Sequence, residues 1–229
     1  MSEEKSVVTT DECKAVTPVN NVTLEELLED AQGVQLQFDK IKIPTAGGVA
    51  YTIVDTESGE EEPQKTFKAV ILKARPSNVY FEEEFSGEAA PPTCTSDDGI
   101  LGIDAEGEQH DCSKCEFNQF GAANNGKGKA CQNRINLYLL IVGESVPRIM
   151  SLPASAISKY NSLRTQLFVS KRLLSSVVVK VGLEKKKSAS GIDYSSPVFS
   201  IDCNVNTLDE AVQQSIVDAK ALLKCVCNA

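Results

Sequence analysis

INLYLLIVG, residues 135–143, is an almost unbroken run of apolar residues, which predicts a buried strand. It is followed by LPASAISKYNSLRTQLF, residues 152–168. In that segment Ile157, Tyr160, Leu163 and Leu167 recur at helical spacing, which predicts an amphipathic helix. The two segments together predict a chain of mixed sheet and helix.

Further strands are predicted on both sides of this pair, because several segments alternate apolar and polar residues or form short apolar runs between turn residues. They are VQLQFDKIKI (34–43), VAYTIVD (49–55), FKAVILKA (67–74), LSSVVVKVGLE (174–184) and SPVFSIDCNV (196–205). SGEEEPQK, residues 58–65, is predicted to be a charged loop. Five or six strands with one internal helix predict a mainly β, α+β fold of the OB-like Greek-key barrel type, with a generic α+β sheet as the alternative.

Two capping boxes predict where helices begin. Thr23 with Glu26 starts a short helix, and Thr207 with Glu210 starts a C-terminal helix within residues 207–229. Residues 1–20 are polar and acidic, and we expect them to be mobile. The expected organisation is an OB-like barrel domain over 21–206, interrupted by an irregular insertion at 86–131, before the C-terminal helix.

The composition argues against membrane and secreted proteins. No apolar run in the 229 residues is long enough to span a bilayer, and MSEEKSVVTTDE lacks the basic and apolar regions of a signal peptide. A chain of this length also has no need of a disulfide scaffold, although it has eight cysteines. We therefore expect a soluble cytoplasmic protein without a membrane partner, whose cysteines are free thiols or metal ligands.

The cysteines are concentrated in the insertion. Cys112 and Cys115 form a CxxC pair whose thiolates can both reach one tetrahedral zinc ion, and Cys94 and Cys131 flank the pair. The insertion has too little periodicity to fold by apolar burial, whereas a structural zinc site supplies on the order of 10 kcal/mol. The sequence therefore predicts structural Zn²⁺ at these four cysteines. Substitution of one thiolate by His110 stays open, and four unrelated free thiols are the alternative.

The charge is unevenly distributed. The chain has a net charge of −9, yet residues 116–190 carry 12 lysines and arginines against 3 acidic residues. A local basic surface with interleaved aromatic rings is typical of single-strand binding, whereas chance clustering on solvated faces is the alternative. The candidate nucleic-acid contacts are Lys127, Lys129, Arg134, Arg148, Lys171, Arg172, Lys185, Lys186, Lys187, Phe117, Phe120 and Tyr194.

Enzymatic chemistry has little support. GAANNGKGKAC, residues 121–131, has the spacing of a nucleotide phosphate loop, but Gly128 stands where that loop needs Ser or Thr for magnesium. A single histidine leaves no plausible Ser-His-Asp set. The runs of carboxylates indicate solvated faces. We expect a protein that is not an enzyme.

Four segments resemble a family of phage and prophage proteins encoded among replication and recombination genes. They are CTSDDG (94–99), CSKCEFNQFG (112–121), NGKGKACQ (125–132) and MSLPASAISKYNSL (150–163). The resemblance covers roughly residues 67–203, although Glu116 stands where relatives often have proline. It implies sequence-independent binding of single-stranded DNA in the host cytoplasm, with replication or recombination proteins of phage or host as further partners. The alternative is a zinc-containing phage interaction or structural protein that contacts no nucleic acid.

Overall fold

The computed structural model describes residues 23, 26, 29, 30, 36–44, 47–54, 59–83, 91–124, 126–187, 191 and 193–227. The chain divides into two compact units, Met1–Gln35 and Leu36–Ala229. In the first unit the Thr23 N–H and hydroxyl donate to Glu26 Oε2 at 2.7 and 2.9 Å, and the Glu26 N–H donates to Thr23 Oγ1 at 3.3 Å. The predicted capping box is therefore confirmed. The predicted mobility of residues 1–20 lies outside the described residues.

The second unit consists mainly of antiparallel strands. In chain order they are β1 (Tyr51–Val54), β2 (Glu61–Gln64), β3 (Thr66–Tyr80), β4 (Cys94–Ser96), β5 (Leu101–Asp104), β6 (Gln109–Asp111), β7 (Gln132–Ile141), β8 (Arg148–Leu152), β9 (Val177–Lys187) and β10 (Asp193–Asn204). The helices are α1 (Ala154–Val169) and α2 (Glu210–Cys227), with 3-10 turns at Glu116–Asn118, Leu174–Ser176 and Val205–Thr207. The predicted mainly β, α+β class is confirmed. No described helix is long and apolar enough to cross a membrane.

Strand β3 organises the sheet because both of its edges are paired. One edge pairs with β7 from Ala69 to Val79, while the other pairs first with β9 and then, at its far end, with β4. The main sheet therefore has the order β10-β9-β3-β7-β8, and β4, β5 and β6 continue from the end of β3. Strands β1 and β2 form a separate hairpin. Among the described residues, the backbone pairing does not close the sheet into a barrel.

The main core lies between one face of the sheet and α1. Its members include Ile71 of β3, Leu137 and Leu139 of β7, and Tyr160 and Leu163 of α1, all at most 4 % exposed. Because side chains alternate along a strand, Arg134, Asn136 and Tyr138 project from the opposite face of β7. On that opposite face α2 packs against the sheet, with contacts among Val70, Leu140, Val178, Ile216 and Ala219.

The charged segment 58–65 is not a loop throughout. Residues Glu61–Gln64 form β2. Its side chains are mostly exposed and its partner β1 supplies the buried residues, so the sequence of β2 lacks the alternation that predicts a strand. Conversely, within the described part of the predicted strand at 34–43, residues 36–43 supply two isolated bridges, Lys40 with Ile149 and Lys42 with Thr52, and no named strand.

The second predicted capping box is wrong. Helix α2 begins at Glu210, and Thr207 belongs to the preceding 3-10 turn. The Thr207 hydroxyl donates instead to the carbonyl oxygen of Asn204 at 2.7 Å. A local acceptor within the turn therefore replaces the predicted bond across the first turn of the helix.

Candidate metal centre and nucleic-acid interface

The insertion buries thiols rather than an apolar core. Cys112 and Cys131 are each only 7 % exposed, whereas Ile100 and Ile103 are largely exposed. The three short strands β4, β5 and β6 form a small antiparallel arrangement around the thiols. The packing of this segment therefore agrees with the prediction that apolar burial does not order it.

The four predicted zinc ligands line one cleft of about 540 Å³. Cys94 lies at the start of β4, Cys112 and Cys115 follow β6, and Cys131 precedes β7. All four are free thiols. Burial, with the charges of the three other thiols, raises the pKa of Cys131 to about 11, and burial raises the pKa of Cys94 as well. The four sulfurs thus share one electrostatic environment in which thiolates repel one another.

Gly102 leaves the space that these sulfurs use. A Cβ atom at this position would lie 2.8 Å from Cys94 Sγ and 3.6 Å from Cys112 Sγ. A set of four sulfur donors suits Zn²⁺, which binds thiolates at about 2.3 Å. Sulfurs bound to one zinc ion at that distance lie close together, whereas no three of the four sulfurs here lie within 4.8 Å of one another. The residues present fit zinc by their chemistry, and binding would require the thiols to draw together.

A denser group of metal-binding atoms lies on the rim of the same cleft. Among the described residues, only Asp104, Glu108 and His110 place three such atoms within 4.8 Å of one another. His110 Nε2 lies 2.7 Å from Asp104 Oδ2, and Asp104 Oδ1 accepts the N–H of Glu108 at 2.7 Å. The bond to His110 is the largest cause that lowers the pKa of Asp104. These hydrogen bonds stabilise the turn between β5 and β6, which explains why the three side chains lie together. His110, which could have replaced a thiolate as a zinc ligand, is bonded within this turn.

A second cleft, of about 800 Å³, lies beside the face of β7 and β8 opposite the main core. We call it the β7–β8 groove. It is lined by the end of the 40–44 segment, by the start of α1 and by one side of the β9–β10 hairpin. Its lining side chains include the cations Lys40, Lys42 and Arg134, the carboxylate of Asp193, and Ile149, Ser151 and Tyr194.

Arg134 is a partly buried cation in this groove. Its side chain is half-buried, and burial lowers its pKa. Its Nη2 donates to Gln132 Oε1 at 2.7 Å, and no carboxylate of the described residues lies within 4.0 Å of it. Lys42, by contrast, is paired with Glu61 at 2.7 Å. A partly desolvated guanidinium with only an amide acceptor is a favourable partner for an anion.

The lysines of the hairpin are already engaged in ion pairs. Lys185 and Lys187 lie 2.8 and 3.8 Å from Asp193, and Lys186 lies 3.7 Å from Glu184. Because strand side chains alternate, Lys186 projects from the face opposite to the other two. These three cations therefore do not form one unpaired basic surface.

Three further predicted cations lie away from the groove. Arg148 is 2 % exposed and donates to both carboxylate oxygens of Glu144, at 2.7 and 3.0 Å, so it is a structural cation and not a surface contact. Lys171 and Arg172 follow the C-terminal end of α1, whose other end lines the groove. A helix of 16 residues is about 24 Å long, which separates them from Arg134.

The predicted aromatic contacts differ in availability. Tyr194 lines the groove. Phe117 is stacked on Tyr80, with ring centroids 4.3 Å apart and an angle of 14° between the planes. Phe120 is 84 % exposed, with Lys129 Nζ 5.5 Å from its ring centroid. Lys127 is exposed in the same arm of the insertion.

Sequence reasoning missed Lys40 and Lys42, because both precede the basic segment 116–190. The alternation in VQLQFDKIKI did contain the signal, since Ile41 is buried and the flanking lysines are exposed. No family model, curated protein or solved structure matches this chain. The function is therefore argued from the geometry of the two clefts.

Proposed function

We propose that the protein binds single-stranded DNA without sequence preference, in phage replication or recombination, with zinc as a structural ion. The observation that carries this proposal is the half-buried Arg134 guanidinium, which has no carboxylate partner among the described residues and lines a groove with Tyr194. A cation for the phosphate and a ring for the base are the two elements of single-strand binding.

The strand connections support the same proposal. The succession β3, β7, β8, α1, β9, β10, in which the first strand pairs with both the second and the fourth, agrees with that of an OB barrel, although the described strands do not close into one. OB domains bind oligonucleotides on the face of their second and third strands, between the loops that follow the first and fourth strands. The corresponding parts of this chain are β7 and β8, the cysteine insertion and the β9–β10 hairpin. The groove lies beside that face.

Zinc enters the proposal as an ordering ion. Cys94, Cys112, Cys115 and Cys131 would hold it, and it would supply the cohesion that the insertion lacks in apolar contacts. The insertion leads directly from Cys131 into β7, which carries Arg134 three residues later. An ordered insertion therefore fixes the start of the strand that forms the floor of the groove.

The decisive experiment compares Arg134→Ala with Arg172→Ala. Each arginine donates through Nη2 to one amide oxygen, of Gln132 and of Asn204 respectively, but only Arg134 lies in the groove. Binding of labelled oligo-dT is measured by fluorescence anisotropy over a salt series. We expect Arg134→Ala to weaken binding by roughly 10- to 150-fold, the equivalent of a lost charged hydrogen bond. It should also reduce the salt slope by about 0.7, the value for one phosphate on a single strand.

Arg172→Ala should bind as the unsubstituted protein does. Equal losses of affinity for both variants would mean that only the overall charge of the protein matters. An unchanged affinity for Arg134→Ala would refute the groove as the binding site. Complete absence of binding at low salt would favour a zinc-containing interaction protein, a role with which the ion pairs of the hairpin lysines agree.

A further inference from the structure

The insertion contains an exposed aromatic ring whose position is fixed from one side. Phe120 is 84 % exposed, which is unusual for a side chain of its size. The Lys129 ammonium lies 5.5 Å from its centroid, within the range of a cation–π contact. A ring held on one face by a cation leaves its other face open.

Lys129 is itself held by the turn that follows the CxxC pair. Its Nζ donates to Asn118 Oδ1 at 3.1 Å, and Asn118 Nδ2 donates to the carbonyl oxygen of Cys112 at 2.7 Å. Asn118 Oδ1 also accepts from Asn133 Nδ2 at 3.0 Å, which ties the turn to β7. The ring of Phe120 is thus connected, through the Lys129 ammonium and the hydrogen bonds of Asn118, to both the thiol cleft and the main sheet.

This arrangement lies across β7 from the groove. Asn133 pairs directly with Asn78 of β3, and their side chains are joined by a hydrogen bond of 2.6 Å. The next residue, Arg134, projects from the other face of the strand and lines the groove. A ligand that occupied both places would have to pass around the start of β7, so a short oligonucleotide in the groove would not reach Phe120.

We propose that Phe120 is a second, separate nucleobase-stacking subsite, held by Lys129 and Asn118, which only longer single strands reach. The proposal rests on the proposed function and deepens it by naming where the strand continues. The ligand class is an unpaired nucleobase, because the open face of a phenyl ring stacks on any base and reads no sequence. Lys129 is a positioning residue here, since its ammonium is directed at the ring and at Asn118.

The chain contains no tryptophan, so one introduced indole reports on one place. We would compare Phe120→Trp with Phe168→Trp, because Phe168 is equally exposed at 83 % but lies at the far end of α1. Each is titrated with oligo-dT of about 4 and about 16 nucleotides, which span the site sizes of single OB domains. We expect quenching of the Phe120→Trp emission by the long oligonucleotide, little by the short one, and none for Phe168→Trp.

Affinity gives an independent readout. Phe120→Leu keeps an apolar side chain but loses the ring face, and should weaken long oligo-dT roughly 5- to 150-fold while leaving the short one unchanged. Arg134→Ala should weaken both lengths. Saturated binding of long oligo-dT without quenching at Phe120→Trp, or equal quenching at Phe168→Trp, would refute the stacking subsite at Phe120. Neither result would refute binding in the Arg134 groove. Failure of any oligonucleotide to bind the unsubstituted protein would overturn both.

Discussion

Replacing Gly102 with alanine tests the thiol cleft by adding a single methyl group. Its Cβ would lie 2.8 Å from Cys94 Sγ, and ordinary contact begins at 3.4 Å, so the sulfur must move by at least 0.6 Å. The added methyl group would occupy space that the thiols need when they draw together around zinc, and zinc–ligand distances tolerate only about 0.2 Å. Overpacking of this kind typically costs about 1–3 kcal/mol, so we expect zinc affinity to fall by roughly 5- to 150-fold.

Gly128→Ala is the matched control within the same insertion. Neither glycine has a positive φ, and a Cβ at Gly128 meets only Ala123 Cβ at an ordinary 3.8 Å. A glycine-to-alanine change without strain usually stabilises a protein by about 0.4–1 kcal/mol through the unfolded chain. Gly128→Ala should therefore bind zinc as the unsubstituted protein does.

The assay is competition for zinc against a chromogenic chelator, supported by metal analysis of protein purified without chelator. The unsubstituted protein should contain about one zinc per chain. Equal zinc affinities for Gly102→Ala and Gly128→Ala would refute the steric argument. Protein with an ordered insertion but no zinc would refute the metal centre itself.

Three other predictions follow from single contacts and from the thiol pKa values. Tyr51→Phe removes a buried 2.8 Å bond to the carbonyl oxygen of Gly182 and should lower the free energy of unfolding by about 1–3 kcal/mol; an unchanged urea midpoint would contradict it. Glu144→Gln leaves the buried Arg148 with Asp39, at 4.0 Å, as its one carboxylate partner among the described residues, and should cost about 3 kcal/mol in the same assay; a loss below about 1 kcal/mol would contradict this. Because the pKa of Cys131 is raised to about 11, zinc must displace its proton, so zinc affinity should rise between about pH 6 and pH 8, and a pH-independent affinity would count against thiolate ligands.

The elements that could be predicted are those whose own residues carry their pattern. The helix at 154–169 and the strands β7, β9 and β10 pack along their predicted apolar positions, because their burial is regular along the chain. Strand β2 could not be found in this way, since its exposed side chains have no pattern and pairing with β1 defines it. The strands of the insertion are hidden for a similar reason, because they surround thiols in place of apolar side chains.

The site was predictable in its cysteines and not in its groove. The spacing of Cys112 and Cys115, with two flanking cysteines, predicted one zinc site, and the four residues line one cleft without forming a tight cluster. The groove, however, joins Lys40, Arg134 and Tyr194, which are distant in sequence and come together only through the order of the strands. Charge counting found Arg134 but could not separate it from the buried Arg148, because burial depends on contacts that the sequence does not list locally.

The unbroken course of β3 has a consequence for how the protein opens. The same strand contributes Ile71 to the main core and ends at Tyr80, which pairs with Cys94 at the thiol cleft. Local unfolding that starts at the thiols would therefore extend, through the paired backbone, into the first part of β7, where Arg134 lies. It would become less frequent toward the core. Amide exchange should be graded along these strands, and metal loss would loosen the groove while the fold persists.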